Sequence, residues 1–280
     1  MAPRPPKVHS SSLLRYKALL IDAFGVLMDS KGDLPGAIAF IELLNNSKHD
    51  YFVLSNSGIY NLEQSEANLK KRGFPVPQAH ILSSGHLVPR WIRDNGLTGK
   101  QILVLGPRSS FSLVEEGGAH VVTGLVDEVD AIILSHQTGF DYVEGIDHAI
   151  SLVFRSIERG KPLKVLVPNT DIIYPKMEGF YGITAGSLAY LLEKAVSIRF
   201  PQAPSPVIYL GKPYAPLFEE ARRRTNTMEM VMIGDQLLTD IKGANDFGID
   251  SVLVGCGVTN LEHEDFSSGI LPTYVMDDLR

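Results

Sequence analysis

The sequence predicts an α/β fold with a mostly parallel sheet and a second α/β domain inserted into the first. Three observations carry this. Apolar runs of strand length alternate with amphipathic runs of helix length along nearly all of the 280 residues. Several of the apolar runs have no polar alternation, as expected for strands covered on both faces. Ten candidate strands are more than one ordinary open sheet needs, so part of the chain is assigned to an insert.

The candidate strands, in order, are KALLIDAF, DYFVLSN, HILSS, QILVLG, HVVTG, DAIILS, LKVLVPN, PVIYLG, MVMIGD and DSVLVG. Between them lie six candidate helices. The first begins at Pro35, a residue favoured in a first helical turn, and aligns Ile38, Ile41 and Leu44. The second runs from about Asn61 to Arg72 and stops at Gly73. The third covers about Val143 to Arg159. The fourth, Ser187 to Arg199, groups Leu188, Leu191, Leu192 and Ala195. The fifth runs from about Ala215 to Arg224, and the sixth follows Asp240 and ends near Gly248. A β-α-β-β-α-β series within the middle of the chain marks the insert. The expected division is a flexible tail over 1–13, a core over 14–85 and 181–280, and a cap domain over 86–180. Phe180 and Tyr181 are expected to pack where cap meets core.

Composition narrows the function. The formal net charge is −6 with both signs interspersed, and no basic stripe suggests nucleic acid. The start, MAPRPPKVHSSS, has no apolar run and is not a secretory signal. No stretch reaches the length of a membrane-spanning helix. A single cysteine, Cys256, excludes an internal disulfide framework and fits a reducing compartment. It follows SVLVG and reads as a small buried hydrophobe. These features point to a cytoplasmic protein with neither a membrane nor a nucleic acid as partner.

In an open parallel sheet, ligands bind beyond the carboxyl ends of the strands. The first strand delivers Asp22 there, followed by a turn at Gly25. DYFVLSNSG delivers Ser55, Asn56 and Ser57, whose hydroxyl, amide and backbone donors suit an anion. YLGKP delivers Lys212, and MIGDQLLTD delivers Asp235 and then Asp240. Oxygen ligands of this kind suit Mg²⁺, which shares its shell with phosphate and water. With phosphoryl charge neutralised by the cation and Lys212, Asp22 can attack phosphorus and form an aspartyl-phosphate.

The order DAFGVL, LSNS, GKP, GDQLLTD resembles the four motifs of the haloacid dehalogenase superfamily. PGAIAFIELL, the large insert, and the stretch from PNTD through GSLAYLLEKA to GKP are similar to its class IIA branch of NagD-like and p-nitrophenyl-phosphatase-like enzymes. The resemblance covers nearly the whole chain after the tail. It implies hydrolysis of a small phosphorylated metabolite, with a sugar phosphate as the default substrate. It makes Asp22 nucleophile and metal ligand, with Asp235 and the Phe24 carbonyl as further ligands. Ser55 would hold the phosphoryl group with Asn56 nearby, Lys212 would orient it, and Asp240 would support the metal's waters or Lys212. Two cap loops would contact substrate: LSHQTGFDY with His136, Gln137, Thr138 and Asp141, and VPNTDIIYP with Asn169, Thr170 and Asp171. All of these also suit turns. A homodimer through the cap is consistent with the same resemblance.

One position departs from the pattern. Phosphatases of this family carry a second aspartate two residues after the nucleophile, as acid and base. Here that residue is Phe24. Three readings follow: a selective phosphatase, a phosphometabolite-binding protein with impaired catalysis, or a dehalogenase-type hydrolase. GDQLLTD argues against the last, which would use no metal. Asp29, His136 and Asp141 are candidates to replace the missing acid. The run Arg222, Arg223, Arg224 reads as a solvated helix end favoured by the dipole.

Overall fold

The structure, a computed structural model, describes residues 4–177, 180–257, 259, 261, 266 and 269–280. In chain order it begins with β1 (Ala18–Asp22), α1 (Ala37–Ser47), β2 (Asp50–Ser55), α2 (Leu62–Lys71), β3 (Ile81–Ser83) and α3 (Val88–Asp94). There follow β4 (Gln101–Leu105), α4 (Phe111–Glu116), β5 (His120–Val122), β6 (Ala131–Leu134), α5 (Tyr142–Glu158) and β7 (Lys164–Val167). Next come β8 (Ile173–Met177), β9 (Phe180–Ile183), α6 (Ala185–Arg199) and β10 (Val207–Tyr209). The chain closes with α7 (Ala215–Thr225), β11 (Met230–Gly234), α8 (Lys242–Phe247), β12 (Asp250–Val254) and β13 (Tyr274–Met276).

These elements form two compact units. The first comprises Met1–Ser55, Leu62–Leu82 and Lys212–Arg280; the second comprises Asn56–Asn61 and Ser83–Gly211. The first unit holds a six-stranded sheet in the order β13-β12-β11-β1-β2-β3. From β1 the chain builds outward through β2 and β3, then returns on the other side of β1 with β11, β12 and β13. The order therefore reverses between β1 and β11. β1 runs parallel to both β2 and β11, with Asp22 level with Leu54 and Ile21 level with Ile233. All five residues of β1 and all five of β11 are buried, so apolar side chains cover both faces, as the unbroken hydrophobic runs require. Leu19 and Ile21 pack with Phe40, Ile41 and Leu44 of α1 and with Val231, Ile233, Val252 and Val254.

The second unit is built on a five-stranded parallel sheet in the order β10-β7-β6-β4-β5. Its core joins Leu103, Leu105, Ile132 and Leu134 to Ile146, Leu152 and Val153 of α5 and Leu188, Leu192 and Val196 of α6. β8 and β9 form a separate antiparallel pair. No helix among the described residues is long and apolar enough to cross a membrane.

Several expectations need correction. The expected core over 181–280 loses its first part, because β10 pairs with β7 of the second sheet and Leu188 and Leu192 of α6 bury in that unit's core. The boundary lies between Gly211 and Lys212, and the earlier one between Leu82 and Ser83. Leu191 is 44% exposed, so the buried stripe of α6 is Leu188, Ala189, Leu192 and Val196. Phe180 and Tyr181, expected to be packed, are 65% and 68% exposed on β9. α1 begins at Ala37, two residues after Pro35, behind a left-handed Gly36. Strands β8, β9 and β13 were missed, the last being only three residues long.

The tail is not flexible from residue 4 onward. Lys7 bridges Val275 of β13 in parallel, and the N–H of Val8 donates to the Val275 carbonyl at 3.0 Å. A 3₁₀ turn over Ser10–Arg15 then buries Leu13 completely in the first unit's core. Replacing Leu13 by Ala is therefore expected to cost about 2–5 kcal/mol in urea unfolding, as for a core leucine; a loose tail would give no change.

Candidate active site

Within the first unit, the carboxyl ends of β1 and β11 deliver Asp22 and Asp235 side by side at the reversal of strand order, where open α/β sheets bind ligands. Asp240 joins them from a π turn over Leu237–Ile241. Single π turns are frequent at functional sites because the wider turn re-aims a side chain. Here the Asp240 carboxylate also accepts the N–H of Gln236 at 3.2 Å, closing the turn on itself. Lys212 arrives just before α7. Its Nζ lies 2.6 Å from Asp22 Oδ1 and 2.7 Å from Asp240 Oδ1.

All four side chains are buried: Asp22 is 6% exposed, Lys212 2%, and Asp235 and Asp240 0%. Three carboxylates thus face one ammonium away from water. Burial alone would lower the Lys212 pKa, but the charges of Asp22 and Asp240 overcome it and hold the ammonium protonated. Burial pushes the Asp22 carboxyl well above the usual carboxylate range; Lys212 opposes this, while Asp240 and Asp235 add to it. Oxygens of Asp22, Asp235 and Asp240 lie within 4.8 Å of one another. A hard divalent cation fits this donor set, since it would cancel the excess negative charge that one lysine leaves.

The backbone around Asp235 explains two glycines. Gly25 turns the chain after β1 with φ +97°, and any side chain there would overlap the Asp235 carboxylate. A side chain at Gly257 would overlap the same carboxylate. The Thr259 hydroxyl donates to the Asp235 carbonyl at 2.5 Å. The loop after β12 therefore helps to fix Asp235, a role that sequence reading missed; the glycine following Cys256 was the available signal. Cys256 itself is half-buried, with Sγ 3.7 Å from the Gly25 carbonyl and a thiol pushed up by burial to about 11. Burial thus disfavours the thiolate, the nucleophilic form.

Ser55 ends β2, one residue beyond the level of Asp22. Phe24 is 40% exposed in the turn after β1. Asn56, Ser57, Asn169 and Asp171 all belong to the second unit. There the Asn56 amide donates to Thr170 Oγ1 at 3.0 Å and Asp171 Oδ1 at 2.8 Å. Asn169 Oδ1 accepts the backbone N–H of Asp171 at 3.0 Å, a local turn contact. The Ser57 carbonyl accepts the Gly85 N–H at 3.0 Å. The structure thus ties the Asn56 loop to the 169–171 loop, and Thr170 is the link the sequence reading had not singled out for that purpose.

The three substitutes for a missing acid are each engaged locally. Asp29 Oδ1 accepts the N–H groups of Lys31 at 2.6 Å and Gly32 at 3.0 Å, a turn. His136 Nδ1 lies 2.8 Å from Thr138 Oγ1 and also accepts the Thr138 N–H at 3.2 Å; burial lowers its pKa. Asp141 caps α5 by accepting the Glu144 N–H at 3.1 Å. Arg223 and Arg224 both pair with Glu220, at 2.7 and 2.8 Å. Burial would raise the Glu220 carboxyl, but these guanidinium bonds carry it down to about 2.

Comparison with known proteins points in one direction. A haloacid dehalogenase-like hydrolase model matches residues 19–120, and a HAD-hydrolase-like model matches residues 209–280. Dihydroxyacetone phosphatase of Corynebacterium glutamicum (strain R) is 24% identical, over 93% of this chain and 88% of its own. A solved structure described as a possible sugar phosphatase of the HAD superfamily, from Cytophaga hutchinsonii, is 29% identical, with a TM-score of 0.84 and 98% of each chain covered. NagD from E. coli K-12 shares the fold at 22% identity, with a TM-score of 0.75 and coverage of 94% of this chain and 97% of its own.

If Asp141 serves as a cap, Asp141→Ala should lower stability by about 1 kcal/mol while Asp141→Asn, an equally good cap, should cost almost nothing. Thermal unfolding of the two variants reads the difference; equal losses would assign the residue another role.

Proposed function

The chain belongs to the haloacid dehalogenase superfamily, on its class IIA, NagD-like branch, and on that footing we propose that it is a Mg²⁺-dependent hydrolase of small phosphomonoesters that works through an aspartyl-phosphate at Asp22. The observation that carries this reading is the buried cluster of three carboxylates around one lysine at the strand-order reversal. Asp22, Asp235 and the carbonyl of Phe24 would hold the cation, with Asp240 behind them. Bound there, Mg²⁺ supplies charge neutralisation for the phosphoryl oxygens and lets an anionic nucleophile approach an anionic substrate.

The remaining work falls to the chain's own groups. Lys212 stays protonated between Asp22 and Asp240, and so presents fixed positive charge where phosphoryl oxygens would gather. Ser55, at the end of the adjacent strand, would donate its hydroxyl to the same group. Asn56, Ser57, Asn169 and Asp171 are proposed as further substrate-binding residues, carried by the second unit. A sugar phosphate or a comparable small phosphorylated metabolite is the proposed substrate, in line with the relatives' activities. A cytoplasmic setting and a homodimer complete the proposal.

Phe24 favours one second reading, a phosphometabolite-binding protein without turnover, since the residue two after Asp22 is a phenylalanine and not an acid. Phosphate release from p-nitrophenyl phosphate, with and without Mg²⁺, decides between them. Steady Mg²⁺-dependent release that falls by at least about 10³-fold in Asp22→Asn is expected, because that substitution removes the nucleophile. Ligand stabilisation without release would support the binding protein.

Mg²⁺ at about 100 times its dissociation constant should add about 2.7 kcal/mol of stability. The gain should vanish in Asp235→Asn, as read by thermal unfolding against added metal and chelator. An equal gain in both proteins would place the cation elsewhere.

A further inference from the structure

We propose that the second unit carries a small-ligand site of its own, a cavity at the carboxyl ends of β4 and β5 that takes a compact apolar amine. Its place follows from the sheet. From β4 the chain passes to β5 on one side and then to β6, β7 and β10 on the other, so strand order reverses at β4. Open parallel sheets bind ligands beyond the carboxyl ends of their strands at such a reversal. A cavity of about 140 Å³ lies there, lined by residues 104–106 at the end of β4, residues 123–125 after β5, and the loop and first turns leading into α5. All of its lining residues belong to the second unit, and it shares none with the carboxylate cluster around Lys212.

The walls are fixed by the chain's own packing. Gly139 turns with φ +96°, and a side chain there would overlap the backbone of Gly106 and Pro107, so the loop after β6 lies directly against the end of β4. At Gly145 of α5, the Phe140 ring fills the space that a side chain would need. The loop after β5 is tied to the same helix, because the Val126 N–H donates to His148 Nε2 at 3.1 Å. Leu105 and Phe140 pack into the second unit's core, and with Leu125 they make the lining apolar. An apolar cavity of about 150 Å³ holds benzene, so this space fits a ring or branched chain of about six heavy atoms. Charge comes from Asp141 and Glu144, both exposed, with no lysine or arginine among the described residues that line the cavity. His148 adds no positive charge, since a ring nitrogen that accepts an N–H carries no proton. A negative rim over an apolar floor complements an ammonium on a compact apolar body, and disfavours a carboxylate or phosphate.

The probe is benzylamine, set against benzyl alcohol and benzoate, which keep the ring and change the charge of the head. The full chain is titrated near neutral pH and followed by the methyl signals of Leu105 and Leu125. Both signals should shift and saturate with benzylamine in about the millimolar range. Exposed ion pairs are weak, so Asp141→Asn, which keeps the helix cap, and Glu144→Gln should each loosen benzylamine by about two- to five-fold and leave benzyl alcohol unchanged. Benzyl alcohol, which loses both pairs, should bind about 4- to 25-fold more weakly than the amine, and benzoate more weakly still. Leu125→Ala, at a position 63% exposed and so tolerable to the fold, should weaken amine and alcohol by the same factor. No saturable shift at Leu105 and Leu125, or shifts centred instead on Val231 and Ile233 of the first unit, overturns the site. Benzoate or benzyl alcohol bound as tightly as benzylamine overturns the assignment of a cationic ligand. None of these readouts depends on phosphate release, so their failure is distinct from failure of the phosphatase reading.

Discussion

Lys212 sits at the centre of this protein's chemistry because, among the described residues, it is the cation paired directly, at 2.6 and 2.7 Å, with the buried carboxylates of Asp22 and Asp240. Burying an ion costs several kcal/mol, and the cost is recovered only when the opposing charges are close and well bonded. The pairing therefore constrains three distant parts of the chain at once: the end of β1, the approach to α7 and the π turn after β11. Removing the lysine would take away the ammonium that Asp22 and Asp240 share. Yet one ammonium does not balance three carboxylates. Burial, with the charges of Asp240 and Asp235 adding to it, raises the Asp22 carboxyl, and the excess negative charge makes the cluster a natural seat for a divalent cation.

The parallel sheet makes this concentration of charge possible. Its central strands are apolar along their whole length, so they tolerate polar groups only at their ends. Reversal of strand order between β1 and β11 leaves their carboxyl ends without a crossover on top, which opens room for a ligand there. Glycines at 25 and 257 then allow the backbone to close around Asp235, where a side chain would collide with it. The packing of the core and the reactivity of the site are thus two results of one arrangement.

Phe24 lies in the turn after β1, outside the buried carboxylate cluster. A ring 40% exposed in a turn contributes little to packing, and the carboxylate cluster is built without it. Asp29, Asp141 and His136 take part in turn, cap and intraloop bonds. The second unit contributes its own polar link, from Asn56 to Thr170 and Asp171, which joins two loops far apart in sequence.

Asp22, Ser55, Lys212, Asp235 and Asp240 were all legible in the sequence, because each follows or flanks an apolar run and such a pattern is local. The alternation of runs likewise revealed the α/β class and most strands and helices. Other features depended on pairing over long distances. That β10 joins the second sheet, moving the boundary to 211/212, follows from its register with β7. That residues 4–15 are anchored follows from a bridge to Val275, more than 260 residues away, and no periodicity encodes such a contact. Roles were hidden for a related reason. Asp141 as a cap and Asp29 as a turn differ from catalytic acids only in which hydrogen bonds they accept, and residue type does not state a hydrogen bond's partner. Sequence alone therefore determined which chemical groups stand at the strand ends; the tertiary structure decided which of them share charge, because burial and distance set the strength of that coupling.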